Sequence, residues 1–147
     1  MRVNRSMPAS AVIPVLDYAD VAEAAAWLCA VFGFTVRLRI GDHRVQLNAG
    51  AGAVVVTRSG ARDPAQMSAV MVRVEDAAGL YARILAAQVA CSAPVDHPYG
   101  ERQFAVTDLA GHQWTFSQTI ADVAPEDWGG NWGGNWGGDW GGESGRP

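Results

Sequence analysis

The sequence predicts an α+β fold built from two βαβββ modules, with a mostly antiparallel sheet and outer helices. The first observation is the order of the predicted elements, strand, helix and three strands, which occurs twice between residues 11 and 119. The second is that matching residues recur at nearly constant separations. Asp20 and Asp76 are 56 positions apart, and Leu47 and Val106 are 59 apart. A fixed separation along a shared order of elements indicates an internal duplication.

The first module begins with an apolar strand over residues 11–18, which we place at a sheet edge because Pro14 cannot donate a ladder hydrogen bond. Asp20 then has the position of a helix N-cap, and Gly33 ends the helix. Three further strands are predicted by alternating apolar residues and by turns that contain glycine. They span residues 34–40, 43–48 and 53–58.

The second module follows a linker over residues 59–66. It has a strand at 69–74, a helix at 76–88, an extended segment at 91–95 and a hairpin within 99–119. In the second hairpin strand, Trp114 and Phe116 alternate with polar residues, and successive strand side chains point to opposite faces. The aromatic face therefore packs on the core, and the polar face is expected to line a site.

Composition limits the domain organisation and the partners. The chain has 147 residues and a net charge of −4, which predicts one domain without a basic field for nucleic acid. All 11 basic residues are arginines, so lysine chemistry is excluded. Cys29 and Cys91 belong to no metal-binding motif and are interpreted as free thiols of a cytoplasmic protein. The sequence predicts no signal peptide and no membrane span. We divide it into a flexible leader (1–10), a domain (11–120, modules 11–59 and 67–119) and a tail (121–147).

The tail repeats a Trp-Gly-Gly unit. Its tryptophans recur every four residues, at Trp128, Trp132, Trp136 and Trp140. The many glycines make a helix costly, so we predict a flexible, low-complexity segment. Alternatively, the tail is an adhesive aromatic segment that folds over a cleft or binds a partner.

Two stretches, VIPVLDYADVAEAAAWLCAVFGFTV and VTDLAGHQWTFSQT, resemble the vicinal oxygen chelate superfamily, which includes glyoxalase I, extradiol dioxygenases and bleomycin-resistance proteins. The resemblance covers residues 11–120, with Leu109 at a place where the family usually has proline. It implies paired βαβββ modules and a homodimer. It implies less about chemistry, because one fold hosts unrelated functions.

The resemblance also implies where a metal would bind. In metal-dependent members, four ligands come from the first and last strands of each module, and the corresponding residues here are Ile13, Val56, Ala69 and Thr115. Three aliphatic side chains and one hydroxyl do not provide the donors that a divalent ion needs. We therefore expect no metal and no cofactor.

Strand parity predicts a ligand-facing wall with an apolar floor, which includes Val54 and Val56, and a rim of arginines and amides. Such a mixture suits a small organic ligand with an anionic or polar end. Alternatively, the arginines only solvate an exposed sheet face. The predicted ligand-binding residues are Arg37, Arg39, Gln46, Met71, Arg73, Gln103, Gln113, Thr115 and Ser117.

Three functions remain open from the sequence. The leading hypothesis is a metal-independent small-molecule-binding protein of the glyoxalase/bleomycin-resistance type, with its ligand in a cleft between the two βαβββ modules. The second is a lyase, isomerase or dioxygenase of the same superfamily with a displaced active site, in which His97, Tyr99 and Glu101 are the weak catalytic candidates. The third is a regulatory module that uses the tryptophan-rich tail for contact.

Overall fold

The computed structural model describes residues 2–58, 60 and 67–131, and its order of elements confirms the duplicated βαβββ pattern. Most of the predicted linker and the tail beyond residue 131 lie outside the described residues. The elements are β1 (Val15–Asp17), α1 (Val21–Phe32), β2 (Thr35–Ile40), β3 (Arg44–Ala49), β4 (Gly52–Thr57), β5 (Ala69–Arg73), α2 (Ala77–Ala86), β6 (Val95–Asp96), β7 (Glu101–Thr107), β8 (Gln113–Thr119) and a 3-10 helix (Pro125–Trp128).

The strands form two four-stranded sheets, one in each module. The first has the order β1-β4-β3-β2 and the second the order β5-β8-β7-β6. The pairs β1–β4 and β5–β8 are parallel, and the other pairs are antiparallel. The edge position predicted for β1 is confirmed. In the described part of the chain, the two sheets are not joined by strand pairing.

Both helices begin at an aspartate N-cap, which the sequence predicted for Asp20. The Asp20 carboxylate accepts a hydrogen bond from the Glu23 amide at 3.0 Å, and the Asp76 carboxylate accepts one from the Gly79 amide at 2.9 Å. Each cap satisfies an amide that has no partner inside its helix. Helix α1 ends at Gly33, whose φ of 80° is readily adopted by glycine.

The core lies between the helices and the sheets, and one aromatic ring links the two modules. Phe32, at the end of α1, contacts the rings of Phe34, Trp114 and Phe116, with centroid distances of 5.6, 5.4 and 4.9 Å. Trp114 and Phe116 are fully buried. We call the sheet face that packs on the helices the helix face and the opposite one the far face.

A buried polar cluster also ties the modules together. Asp108, in the β7–β8 loop, accepts hydrogen bonds from the Tyr18 hydroxyl (2.6 Å), the Trp114 indole (3.0 Å) and the backbone amides of Ala110 and His112. The His112 Nδ1 atom accepts a hydrogen bond from the Ser68 amide, so Nε2 carries the proton and donates to the Asp17 carbonyl at 2.8 Å. His112 is therefore a structural residue.

The strand register corrects two predictions of side-chain direction. A bulge between Val36 and Leu38 pairs Arg39 with the buried Val45. Arg39 therefore lies on the helix face, so its predicted position on the ligand-facing side is wrong.

The second correction concerns β4. Val54 pairs with Leu47, and Val56 pairs with Val45, so both valines lie on the helix face and not on the far face, where strand parity had predicted them. The β7–β8 loop is longer than the turn between β3 and β4, and the repeat offset therefore grows by one residue at the last strand. The far face of β4 carries Ala53, Val55 and Thr57.

No helix among the described residues is both long enough and apolar enough to cross a membrane.

Candidate functional site

The far face of the second sheet brings together six of the predicted ligand-binding residues. Met71 pairs with Thr115, and Arg73 pairs with Ser117. Gln103 pairs with Ser117 from the other side. Paired residues on neighbouring strands share a face, so these side chains form one surface. The six are Met71, Arg73, Gln103, Gln113, Thr115 and Ser117.

A chain of hydrogen bonds crosses this face. The Tyr99 hydroxyl donates to Gln103 Oε1 at 3.2 Å, and Gln103 Nε2 donates to Ser117 Oγ at 3.0 Å. Ser117 Oγ donates to one oxygen of Glu101 at 2.5 Å, and Thr119 Oγ1 donates to the other at 2.6 Å. The chain fixes the side chains in place, which gives the surface a defined shape.

The Glu101 carboxylate is stabilised in its charged form. The hydrogen bond from Ser117 lowers its pKa most, followed by that from Thr119, and the positive charge of Arg73 acts in the same direction. Both carboxylate oxygens are already acceptors. Glu101 is therefore a weak proton acceptor and fits a positioning role better than that of a general base.

Aromatic rings form the rim of the same surface. The His97 and Tyr99 rings stack with a centroid distance of 5.0 Å and an interplanar angle of 7°. Trp128 contacts the Tyr99 ring at 5.3 Å. The first tryptophan of the tail thus lies beside this rim, whereas Trp132, Trp136 and Trp140 fall outside the described residues.

The far face of the first sheet is covered by the N-terminal segment. The Arg37 guanidinium donates to the carbonyls of Arg5 (3.1 Å) and Met7 (2.8 Å) and also to Gln46 Oε1. Gln46 Nε2 donates to the Ser6 carbonyl at 2.8 Å, and Gln46 is only 2% exposed. Residues 5–7 therefore do not form a free leader, and Arg37 and Gln46 bind the chain itself.

Arg39, on the opposite face of β2, lies in a different environment. Burial raises the pKa of the Cys29 thiol in α1, and the positive charge of Arg39 lowers it in part. This electrostatic contact places the Arg39 guanidinium on the helix side, away from Arg37 and Gln46.

An open cavity of about 730 Å³ lies where the two modules meet. Three aromatic rings of the core, Phe32, Phe34 and Phe116, contribute to its lining. One wall is the free edge of β5 with the residues that follow it, and the other is the β3–β4 turn. These walls are residues 70–75 and 49–54. Arg73 and Glu75 are the charged residues of the lining.

The residues present do not fit the metal site that the resemblance implies. The β4 residue on the far face is Val55 and not the predicted Val56. The four positions therefore hold Ile13, Val55, Ala69 and Thr115. Only the Thr115 hydroxyl is a donor. Among the described residues, no three His, Cys, Asp or Glu side chains are grouped so that they would hold a metal ion.

The fold agrees with a sequence comparison. Residues 14–116 match the family model described as the Glyoxalase/Bleomycin resistance protein/Dioxygenase superfamily. The chain belongs to this superfamily. A comparison with curated proteins finds no match.

Among solved structures, the chain is similar to TioX from Micromonospora sp. ML1, with 34% identity and a TM-score of 0.68 over 76% of this chain and 99% of that one. A bleomycin resistance determinant encoded on the transposon Tn5 has 19% identity and a TM-score of 0.66 over 76% and 99%. The copper(II)-bleomycin complex of a bleomycin-binding protein from Streptomyces verticillus has 23% identity and a TM-score of 0.59 over 71% and 92%.

Sequence reasoning predicted a cleft between the modules, but of the predicted ligand-binding residues only Met71 and Arg73 line the cavity, and the polar cluster around Asp108 was not predicted. A signal for the cavity is present in the run Ala49-Gly50-Ala51-Gly52-Ala53, because small side chains leave space beside a strand edge. The signal for the polar cluster is the Asp108–His112 loop, whose polar ends flank a tight turn. Neither signal identifies the distant partners, since Tyr18 is 90 positions from Asp108.

Proposed function

We propose that this superfamily member is a metal-independent small-molecule-binding protein whose ligand occupies the cavity between the two modules. The observation that supports it most is the cavity of about 730 Å³ with a lining of aromatic, aliphatic and small residues. Ligand sites typically have volumes of about 300–1,000 Å³, mostly apolar walls and a few polar groups. Burial of an apolar ligand surface against the exposed apolar side chains of the lining, mainly Val12 and Met71, would supply the main binding free energy.

The charged groups favour a ligand with an anionic or hydrogen-bond-accepting end. Arg73 extends from β5 beside the cavity, and within the described part of the chain its guanidinium makes no hydrogen bond. Glu101 is nearby, but Ser117 and Thr119 already donate to it. Arg73 thus remains available to a carboxylate, phosphate or carbonyl group of a ligand.

Metal independence rests on the donor chemistry of the site. Val55 and the other three far-face positions carry at most one hydroxyl donor, and a divalent ion needs several oxygen, nitrogen or sulfur ligands at short range. Binding through apolar contact and one guanidinium needs no such ion. The bleomycin-binding relative supports a small-molecule ligand in general terms.

A thermal-shift screen of small anionic and aromatic molecules, followed by calorimetric titration in excess chelator, tests the proposal. A specific ligand raises the unfolding temperature by mass action. As a blocking variant we choose Ala51→Trp, because Ala51 lines the cavity from an exposed turn that can accept a large side chain. We expect this variant to fold and to lose the ligand. Retention of full affinity would contradict binding in this cavity.

A second candidate, a lyase, isomerase or dioxygenase, is favoured by the stacked His97 and Tyr99 rings next to Glu101. These rings would supply proton transfer at the rim. Its test is turnover of an identified ligand by the wild-type chain and by His97→Ala. Turnover that is lost in the variant would replace the binding proposal.

We also propose a homodimeric cytoplasmic protein. The exposed Val12, Val15 and Met71 lie along the free edges of β1 and β5, where unpaired backbone groups and apolar surface usually acquire a cover. Sedimentation at micromolar concentration tests the assembly, and a monomer would contradict it.

A further inference from the structure

The N-terminal segment contacts the first sheet through its backbone. Three consecutive carbonyls, those of Arg5, Ser6 and Met7, accept hydrogen bonds from Arg37 and Gln46. We call residues 4–8 the strap. The Met7 amide donates to the Asn4 carbonyl at 3.2 Å, so the strap backbone is a turn whose carbonyls converge on an arginine fork and a side-chain amide on the far face of this sheet.

The side chains of the strap contribute little to the contact. Residues 4–7 are all exposed, and Met7 is 50% exposed. Pro8 is the buried residue of the strap. A site that binds backbone carbonyls and leaves the side chains in solvent accepts many sequences, because every peptide unit offers the same acceptor.

The two donors are held in position for this task. The Gln46 side chain is buried, its Oε1 atom accepts from Arg37, and its Nε2 atom is thereby directed at the Ser6 carbonyl. A guanidinium that is fixed by a buried amide loses little conformational freedom when it binds a carbonyl. The arrangement is a preorganised site for two or more consecutive amide carbonyls.

We propose that Arg37 and Gln46 form a binding site for a peptide ligand that folds into a turn, and that the strap is its resident occupant, which such a ligand displaces. The proposal goes beyond the proposed function, because its ligand is a separate peptide and not the occupant of the cavity. It adds the chemical class, a chain of amides. The strap is attached to the same molecule as the site, so its effective concentration at the site is about millimolar, and a free ligand must compete with it.

The first experiment measures release of the strap by trypsin cleavage after Arg5, detected by the mass of the product. We expect slow cleavage in the wild-type chain, because a docked segment is protected. Arg37→Ala should raise the rate about tenfold, the factor that corresponds to about 1.4 kcal/mol of lost docking. The matched control is Arg39→Ala, which removes an arginine from the same strand on the opposite face and should leave the rate unchanged.

The second experiment uses N-acetyl-tetraalanine amide, a probe that has carbonyls and no large side chains. At millimolar concentration it should raise cleavage after Arg5 in the wild-type chain and have no further effect on Arg37→Ala. Calorimetry on Pro8→Lys, in which an introduced positive charge opposes that of Arg37 and weakens strap docking but leaves both donors in place, should give at least tenfold tighter probe binding than the wild type. Adding Arg37→Ala to Pro8→Lys should abolish it.

The outcomes separate this proposal from the cavity proposal. Fast cleavage in the wild type, cleavage that Arg37→Ala leaves unchanged, or a probe that neither accelerates cleavage nor binds Pro8→Lys would overturn the amide site. If Pro8→Lys does not fold, the wild-type cleavage assay alone decides. Ala51→Trp blocks the cavity, changes neither residue that binds the strap and should leave both readouts unaffected, so the two proposals fail independently.

Discussion

The far faces of the two sheets derive from the same duplicated module, yet they present different surfaces. On the first sheet, Gln46 is 2% exposed beneath the strap. On the second sheet, Ala105 has the place in β7 that Gln46 has in β3, and it is exposed. It lies beside a hydrogen-bonded row of polar side chains, and Met71 on β5 is 63% exposed. A repeat in sequence thus preserves the backbone plan while the surfaces diverge. The second sheet and the adjoining cavity offer the accessible surface, and the first sheet offers a site that the chain itself fills.

The largest expected effect comes from the buried polar cluster around Asp108, which joins the two modules. Asp108→Ala would leave the Tyr18 hydroxyl, the Trp114 indole and two backbone amides without their acceptor in a buried site. We expect the free energy of unfolding to fall by about 3–5 kcal/mol. Urea denaturation measures it. Asp96→Ala, which removes an exposed partner of Arg102, is the control and should change stability very little.

The next effect distinguishes Arg37 and Arg73, the two predicted ligand-binding arginines that lie on the far faces. Arg73→Ala should weaken binding of an anionic ligand by about 1.5–3 kcal/mol, since it removes a charged contact. Arg37→Ala should leave that affinity nearly unchanged, because Arg37 binds the strap. Calorimetric titration of both variants measures the difference. Equal losses for both would mean that the ligand spans the two sheets.

A smaller effect is expected at the rim of the second sheet. Trp128→Ala removes the ring that contacts Tyr99 and should cost about 0.5–1.5 kcal/mol of stability, the usual value of an aromatic pair. Trp128→Phe should restore most of it. Thermal unfolding of the three chains provides the measurement, and an alanine variant as stable as the wild type would mean that the contact has no energetic weight.

The smallest effect is a pH dependence. The folded-state pKa of Glu101 is lowered by Ser117 and Thr119, so its contribution to stability is present above its ordinary pKa of 4.5 and is lost as pH falls through the lowered value. Compared with Glu101→Gln, the wild-type chain should therefore lose more stability between neutral pH and the acid range. Parallel acid unfolding curves would contradict this assignment. No comparable loss is expected from the first sheet, where the strap contacts are made by an arginine and an amide.

The sequence predicted the elements well because caps, turns and alternation are local signals. Asp20, Gly33 and the Trp114–Phe116 face lie where the sequence places them. The prediction of side-chain direction was weaker, because a single bulge reverses the parity of a strand. The bulge after Val36 moved Arg39 to the helix face, and the longer loop before β8 moved Val54 and Val56.

The sequence also could not predict what covers a surface. Arg37 and Gln46 were correctly placed on the far face, but nothing local indicates that residues 5–7, about 30 positions away, dock there. The shape and lining of the cavity likewise depend on how the two modules approach each other. The second sheet was more predictable because its far-face residues form a regular ladder without a bulge.

The most direct test of metal-independent binding in the cavity is calorimetric titration of an identified ligand in excess chelator. The wild-type chain, Ala51→Trp and Arg73→Ala are compared under the same conditions. We expect unchanged wild-type affinity after removal of metal, loss of binding in Ala51→Trp and a weakened affinity in Arg73→Ala. Affinity that disappears with the metal and returns on its addition, or that persists unchanged in Ala51→Trp, would contradict metal-independent binding in the cavity between the modules.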